Sequence, residues 1–222
     1  MTAPWIDFLF RSAPLFCKGA LMTVQVLLMS GSLSFLLGLI LGTLSCHRLR
    51  MRGISWLAEG FSFVVRGIPF FVQLLIVYFV FPELLGFNLD PLAASVLSLG
   101  ICSSGYVAQL VRGALNAIPA AQWEAAQVLG YAPWHAWRRM IFPQILRLIL
   151  PSLNNELDAL LKSTAVISSI GLLELTRVAM NLVSREMQPV PVYLTLALFY
   201  LSMSAVLNRI SKKLEKKFYV KS

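Results

Sequence analysis

Between Ala20 and Ser45 the chain carries no charged residue. A run that long and that apolar is more than a small water-soluble core can cover, but it is enough for a helix to cross the hydrocarbon of a bilayer, which takes about 20 residues. Similar apolar runs recur at about Phe61 to Phe81, Leu92 to Val111, Ile145 to Leu161 and Val192 to Ile210. The sequence therefore reads as an all-α polytopic membrane protein with about five transmembrane helices. Composition agrees: 58% of the 222 residues are hydrophobic and only 13% charged, with a mean hydropathy of +0.74, far from an ordinary soluble domain. A single membrane domain over residues 1–222, without internal repeats, is the economical organisation.

The charges orient the spans. His47, Arg48, Arg50 and Arg52 form a basic cluster, which by the positive-inside rule places that loop in the cytoplasm and the N-terminus outside. Pro82 to Pro91, with Glu83 and Asp90, is a turn-rich acidic loop that suits the outside, and Arg112 returns the chain to the cytoplasm. Lys212, Lys213, Lys216, Lys217 and Lys221 make residues 211–222 a basic cytoplasmic tail. The net charge of +9 is thus assigned to cytoplasmic loops and not to nucleic-acid binding. The segment before Lys18, with Trp5, Phe8, Phe10 and Pro14 beside Asp7 and Arg11, reads as an interfacial lead-in. It is not read as a secretory signal, because the apolar run after it is too long and no persuasive cleavage site follows. Cys17, Cys46 and Cys102 are odd in number and lack paired spacing, and His47 and His135 stand far apart, so neither disulfides nor a metal site are expected.

One segment between apolar runs cannot lie in hydrocarbon. Residues 120–144, AAQWEAAQVLGYAPWHAWRRMIFPQ, carry Glu124, Gln127, His135, Arg138 and Arg139, so they form a structured loop facing water. Trp123 to Leu129 are helix formers after a start signal at Pro119, and Gly130 stands where a left-handed cap wants glycine. Pro133 suits the first position of a second helix from Trp134 to Ile141, and Pro143 marks a break. The expected product is a rigid helical elbow that presents Trp123, Leu129, Trp134 and Trp137 to a partner.

Within the spans, polar groups and glycines are few enough to matter. Ser34, Gly38 and Gly42 recur every four residues, the spacing of a close helix–helix contact, although glycine is also simply tolerated in membrane helices. Asn154, Asn155, Glu156 and Asp158 lie in span four, where ionisable groups are costly and face a cavity or a partner. They are candidates for a solute path. Asp158 and Lys162 are four apart with the acid first, so a structural ion pair is equally open for them. Arg66, at the head of span two, could hold a substrate carboxylate, or snorkel to the interface or pair across helices. If Glu156 remains free, the path is acidic and favours cations.

The elbow resembles a known motif. Glu124, Ala125 and Ala126, then Gly130, then Met140 to Pro143, are similar to the EAA loop of ABC-transporter permease subunits, the coupling helices that dock on the ATP-hydrolysing subunit. The resemblance extends through Arg66 to Pro69 with Gln73, through Tyr106 to Gly113, and through Pro151 to Glu156, Lys162 to Thr164, Ile170, Gly171, Glu174 and Leu175. These segments are similar to the polar amino acid (histidine, glutamine, glutamate or arginine) importer branch. The chain departs from the family pattern at Ala121, where glycine is usual, at Gln109, often glutamate, and at Met140 and Phe142, usually aliphatic. Ala132 stands where serine or threonine is frequent, Asp158 where aliphatics are common, and Ser163 where an acid often follows the lysine.

The resemblance implies one half of the translocation path of an ATP-driven importer in the bacterial cytoplasmic (inner) membrane. ATPase coupling falls to Glu124, Ala125, Ala126, Gly130 and Pro143 in a cytoplasmic loop of residues 119–144. Asn155, Glu156, Asp158 and Arg66 would line the substrate path. Implied partners are ABC ATPase subunits, a second permease copy or paralogue, an external solute-binding protein and membrane lipid; ATP and Mg would be used by the ATPase, and no cofactor by this chain. Nothing in the sequence resembles a phosphate-cradling loop, so the chain is not expected to hydrolyse ATP. The alternative reading is a secondary carrier, or a permease for another small polar solute; a carrier would ordinarily need more spans and internal repeats, and a membrane enzyme would need a convergent catalytic set.

Overall fold

The computed structural model describes residues 4–46 and 52–218, and among them every regular element is helical. Of the basic cluster, His47, Arg48 and Arg50 lie outside the described residues, as does the end of the tail, Lys221 included, whereas Arg52 opens a helix. In order come α1 (Pro4–Leu44), α2 (Arg52–Gly67), α3 (Phe70–Leu75), a π turn (Ile76–Val80), α4 (Phe81–Leu85) and α5 (Pro91–Ala117). Then follow α6 (Ala120–Val128), α7 (Pro133–Ala136), a second π turn (Trp137–Ile141), α8 (Phe142–Ser163), a 3-10 segment (Thr164–Ile170), α9 (Leu175–Glu186) and α10 (Pro189–Phe218). Among the described residues three helices are long and apolar enough to cross a membrane: Arg11–Leu44, Pro91–Ala117 and Pro189–Lys217. Two bent pairs, Gly53–Gly67 with Phe70–Leu85 and Trp134–Ile170 with Leu175–Glu186, pass the same test together, giving up to five spans.

The span boundaries differ from the sequence reading where proline and glycine act in context. The lead-in before Lys18 is part of α1, whose ladder runs through Pro14. Span two is not one helix: Pro69 removes a donor and the chain breaks between Gly67 and Phe70. The break at Pro143 does not occur. Instead Trp137–Ile141 widens into a π turn, with the Phe142 amide donating to the Trp137 carbonyl, and α8 continues through Pro143. The same device precedes Pro82, where Ile76–Val80 is a π turn and the Phe81 amide donates to the Ile76 carbonyl. A π turn lengthens the ladder by one residue, so it can make room for the proline ring and replace the four-residue bond that the ring would obstruct.

After α8 the next α-helix starts only at Leu175. Gly171 takes a left-handed φ of 87° and ends the 3-10 segment. Glu174, wholly buried, then caps α9. Its carboxylate accepts the Thr176 and Arg177 amides at 2.8 and 2.7 Å, and the Tyr200 hydroxyl donates to it at 3.3 Å. Orphan amides at a helix start are thereby satisfied away from water.

The chain divides into two compact units: one of residues up to Leu33, Ile68–Gly100 and Leu157–Asn208, the other of Ser34–Gly67, Ile101–Glu156 and the residues from Arg209 on. The first has two apolar clusters, one around Val26, Leu74, Leu99, Leu161 and Ile167, the other around Phe16, Leu175, Ala179, Leu182 and Val192. The second is built on Val107, Val111, Leu115, Ile118, Ile141, Ile145 and Ile149, with Trp123 and Met140 packed against it.

In the second unit α1 lies on α5 through the small-residue stripe. A Cβ on Gly38 would stand 2.5 Å from Val107, and one on Gly42 2.6 Å from both the Ala108 carbonyl oxygen and Val111, while Ser34 Oγ donates to Ser103 Oγ at 2.8 Å. The spacing therefore marks a helix contact, not tolerated glycine. Gly38→Ala and Gly42→Ala should each destabilise by about 1–3 kcal/mol through overpacking, whereas Gly60→Ala, whose Cβ would meet nothing within 4 Å, should be neutral or mildly stabilising. Thermal unfolding of the detergent-purified chain reads both; equal shifts for Gly38 and Gly60 would contradict the contact.

Candidate functional site

Residues 120–144 fold as the elbow that their local chemistry requires. Pro119 precedes α6, and the helix ends in a Schellman cap: the Tyr131 amide donates to the Ala126 carbonyl at 3.0 Å and the Gly130 amide to the Gln127 carbonyl at 2.9 Å. Gly130 holds φ at 73°, which a residue with a Cβ rarely adopts. Pro133 opens the second helix, and Gln144 Nε2 ties it to the first by donating to Gln122 Oε1 at 2.8 Å. Trp137 stacks between Trp134 and Phe142, with ring centroids 5.1 and 5.0 Å away.

This packing sorts the elbow into two faces. Ala126, Ala136 and Ile141 are buried, and Trp123 packs on the apolar cluster below. Glu124, Ala125 and Gly130 are exposed. So are Val128, Leu129 and Trp134, at 88%, 69% and 62%. Three large apolar side chains exposed at one bend are more than solubility calls for, and they flank in sequence the conformationally fixed Gly130. Of the elbow residues named from sequence, Glu124, Ala125 and Gly130 thus stand on the open face. Ala126 packs inward, and Pro143 follows the π turn that joins the elbow to α8.

The candidate path residues do not form one cluster. Glu156 is half-buried and accepts a hydrogen bond from Ser103 Oγ at 2.7 Å. Since Ser34 donates to the same Ser103, a polar relay links α1, α5 and α8. Asn155 beside it is exposed. Asp158 belongs to the other compact unit. It pairs with Lys162 at 2.6 Å and accepts a hydrogen bond from Ser204 of α10, which favours the ion-pair reading of Asp158. Arg66 donates through Nε to the Ser62 carbonyl at 3.1 Å. It lines an open cavity of about 390 Å³ with Trp56, Glu59, Phe63, Gln109 and Arg112, where Arg112 meets Glu59 at 3.6 Å.

Sequence reasoning noted Ser34 only as a small residue and passed over Ser103, because a serine hydroxyl in a membrane helix usually bonds its own backbone. Ser30 and Ser98 do that. Nor did it give Glu174 and Tyr200 their buried pairing, since the Glu-Leu-Thr order at a helix start was the only local signal of a cap.

Residues 34–219 match the family described as binding-protein-dependent transport system inner membrane component. The chain is similar to the arginine transport system permease protein ArtQ of Bacillus subtilis (strain 168), 32% identical over 204 residues covering 92% of each chain. It is equally similar to the glutamine transport system permease protein GlnP of Escherichia coli (strain K12), 32% identical with 96% of each chain covered. Among solved structures it superposes on a chain of an amino acid ABC transporter crystallised with histidines, with a TM-score of 0.85, 31% identity, and coverage of 98% of this chain and 100% of that one. The all-helical architecture, the apolar spans and these likenesses agree: the chain belongs to the binding-protein-dependent transport system inner membrane component family, and is a non-catalytic, membrane-embedded permease subunit of an ABC transporter.

Proposed function

We propose that this chain forms half of the translocation path of an importer for polar amino acids, and that the elbow of residues 119–144 couples it to a separate ATPase. The arginine and glutamine systems of its relatives, and the histidine-bound transporter, support an amino acid as the solute. In this reading the N-terminus is outside, the elbow and the basic tail are cytoplasmic, and a second permease copy or paralogue completes the path. An external solute-binding protein delivers the solute, and the partner ATPase consumes ATP and Mg. Nucleotide-driven closure of the ATPases pulls on two elbows and switches the path between inward-facing and outward-facing states by rigid-body motion.

The observation that carries the coupling role is the exposed apolar cap of Val128, Leu129 and Trp134 around a left-handed Gly130. A groove on a partner would bury the cap, with Glu124 at its edge available to a basic group. Ala125, without a long side chain, permits close approach, while Ala126 and Pro143 hold the elbow's own geometry. Glu124→Lys reverses the edge charge, and Gly130→Pro demands a negative φ and removes an amide donor. In the complex rebuilt in lipid, both should lower ATP hydrolysis stimulated by loaded binding protein at least tenfold, while the chain keeps its helicity and size-exclusion profile. Normal solute entry without any ATPase would overturn the reading in favour of a secondary carrier.

For the solute, Glu156 with its Ser103 relay is the one acid of span four that no basic side chain neutralises among the described residues. It makes the path prefer cationic amino acids, with Asn155 exposed beside it on the same helix. Arg66 and Asp158 sit in other polar settings, so their share of the path is secondary. Glu156→Gln keeps an acceptor for Ser103 and removes only the charge; uptake of basic over neutral amino acids should fall about tenfold. An unchanged preference would assign selection elsewhere.

A further inference from the structure

In the first compact unit, α1 and α9 touch and leave a trough beside the contact. The contact is tight: a Cβ on Gly19 would stand 2.9 Å from the Leu175 Cα, and the Leu175 amide donates to Thr23 Oγ1 at 3.1 Å. From Gly19 and Leu173 at the contact, a cavity of about 320 Å³ extends between one face of α1, with Leu15 and Lys18, and one face of α9, with Val178, Leu182 and Arg185. Spacings of three and four residues put each set on a single helical stripe. The lining is almost wholly hydrocarbon, and its polar groups are two cations and the Asn181 amide.

We propose that this trough binds an anionic phospholipid, with an acyl segment along Leu15, Val178 and Leu182 and the phosphodiester held by Lys18 and Arg185. The charges fit one occupant. Lys18 is exposed and has no acidic partner among the described residues, so all three ammonium donors are open to an anion. Arg185 gives two of its five N–H groups to Glu186, at 3.0 Å from Nε and 2.9 Å from Nη2. The remaining edge of the guanidinium can take phosphate oxygens. The rim therefore carries a net positive charge over an apolar floor, which is complementary to a headgroup–acyl amphiphile. A free phosphate would leave the floor uncovered, and a zwitterionic lipid would bring its own cation to Lys18. Leu173, exposed at 58%, is part of the trough wall, so the trough is open at its side and an acyl chain can enter from there.

The test uses the full chain in nanodiscs doped with photoreactive phosphatidylglycerol or phosphatidylcholine, each bearing a diazirine on one acyl chain. Peptides containing residues 15–19 and 178–185 should be labelled about tenfold more by the anionic probe. Lys18→Gln with Arg185→Gln should bring the two probes level, while Lys18→Arg with Arg185→Lys should keep the preference. Both pairs alter exposed side chains, and the charge-conserving pair controls for folding. Val178→Trp, which fills the trough, should remove labelling by both probes from these peptides. Equal labelling by the two lipids in the unaltered chain would show ordinary boundary lipid, and displacement by glycerol phosphate alone would show a headgroup site without an acyl trough. Either result overturns the proposal.

Discussion

In hydrocarbon an unpaired backbone amide or carbonyl costs several kcal/mol, and this one constraint explains how the apolar segments depart from a plain α-helix. Several departures are repaired by a side chain or by a change in the ladder. At the Gly67–Phe70 break, Gln73 Nε2 donates to the Ile68 carbonyl at 2.7 Å. At the start of α9, Glu174 and Thr23 together take three amides. Before Pro82 and Pro143 the ladder lengthens to a π turn and does not break. Polar residues inside an apolar chain are thus first of all a backbone supplement, and only those left over are available for transport.

That order of claims explains what could be read from the sequence. Hydropathy located the long helices, because a membrane span is specified by local composition alone. The elbow was also legible, down to the left-handed Gly130 and the helix start at Pro133, since caps are short-range chemistry. The i, i+4 spacing anticipated the Asp158–Lys162 pair for the same reason. Pro143 was misread because a proline's effect depends on whether the turn before it can widen, and the sequence around it does not say. The separation of Glu156 from Asp158 was hidden as well. Two residues apart on a helix point about 200° apart, so each meets whatever lies on its own side: Ser103 for one, Ser204 for the other. Those partners are 53 and 46 residues distant in sequence, beyond any local pattern.

The continuity of α8 bears on how an ABC permease can work. From Pro133 to Ser163 the backbone stays helical through the π turn, so no loop intervenes between the exposed cap at Trp134 and the half-buried acid at Glu156. Twenty-two residues at 1.5 Å each separate them by about 33 Å. Had Pro143 ended the helix, a push on the elbow would have been absorbed by a hinge before reaching the span. With the helix unbroken, the second helix of the elbow and Glu156, the α8 end of the relay through Ser103 to Ser34, lie on one element. The Gln122–Gln144 bond and the aromatic stack stiffen its lower end. Under the proposed coupling role, displacement of the cap by a partner is delivered to Glu156 as rotation or translation of α8. Along this lever Pro151, inside α8, gives no ladder donor, and the π turn is where the bonding widens. Its exchange between i+4 and i+5 bonding is a means of altering the register of Glu156 against Ser103 without breaking the helix.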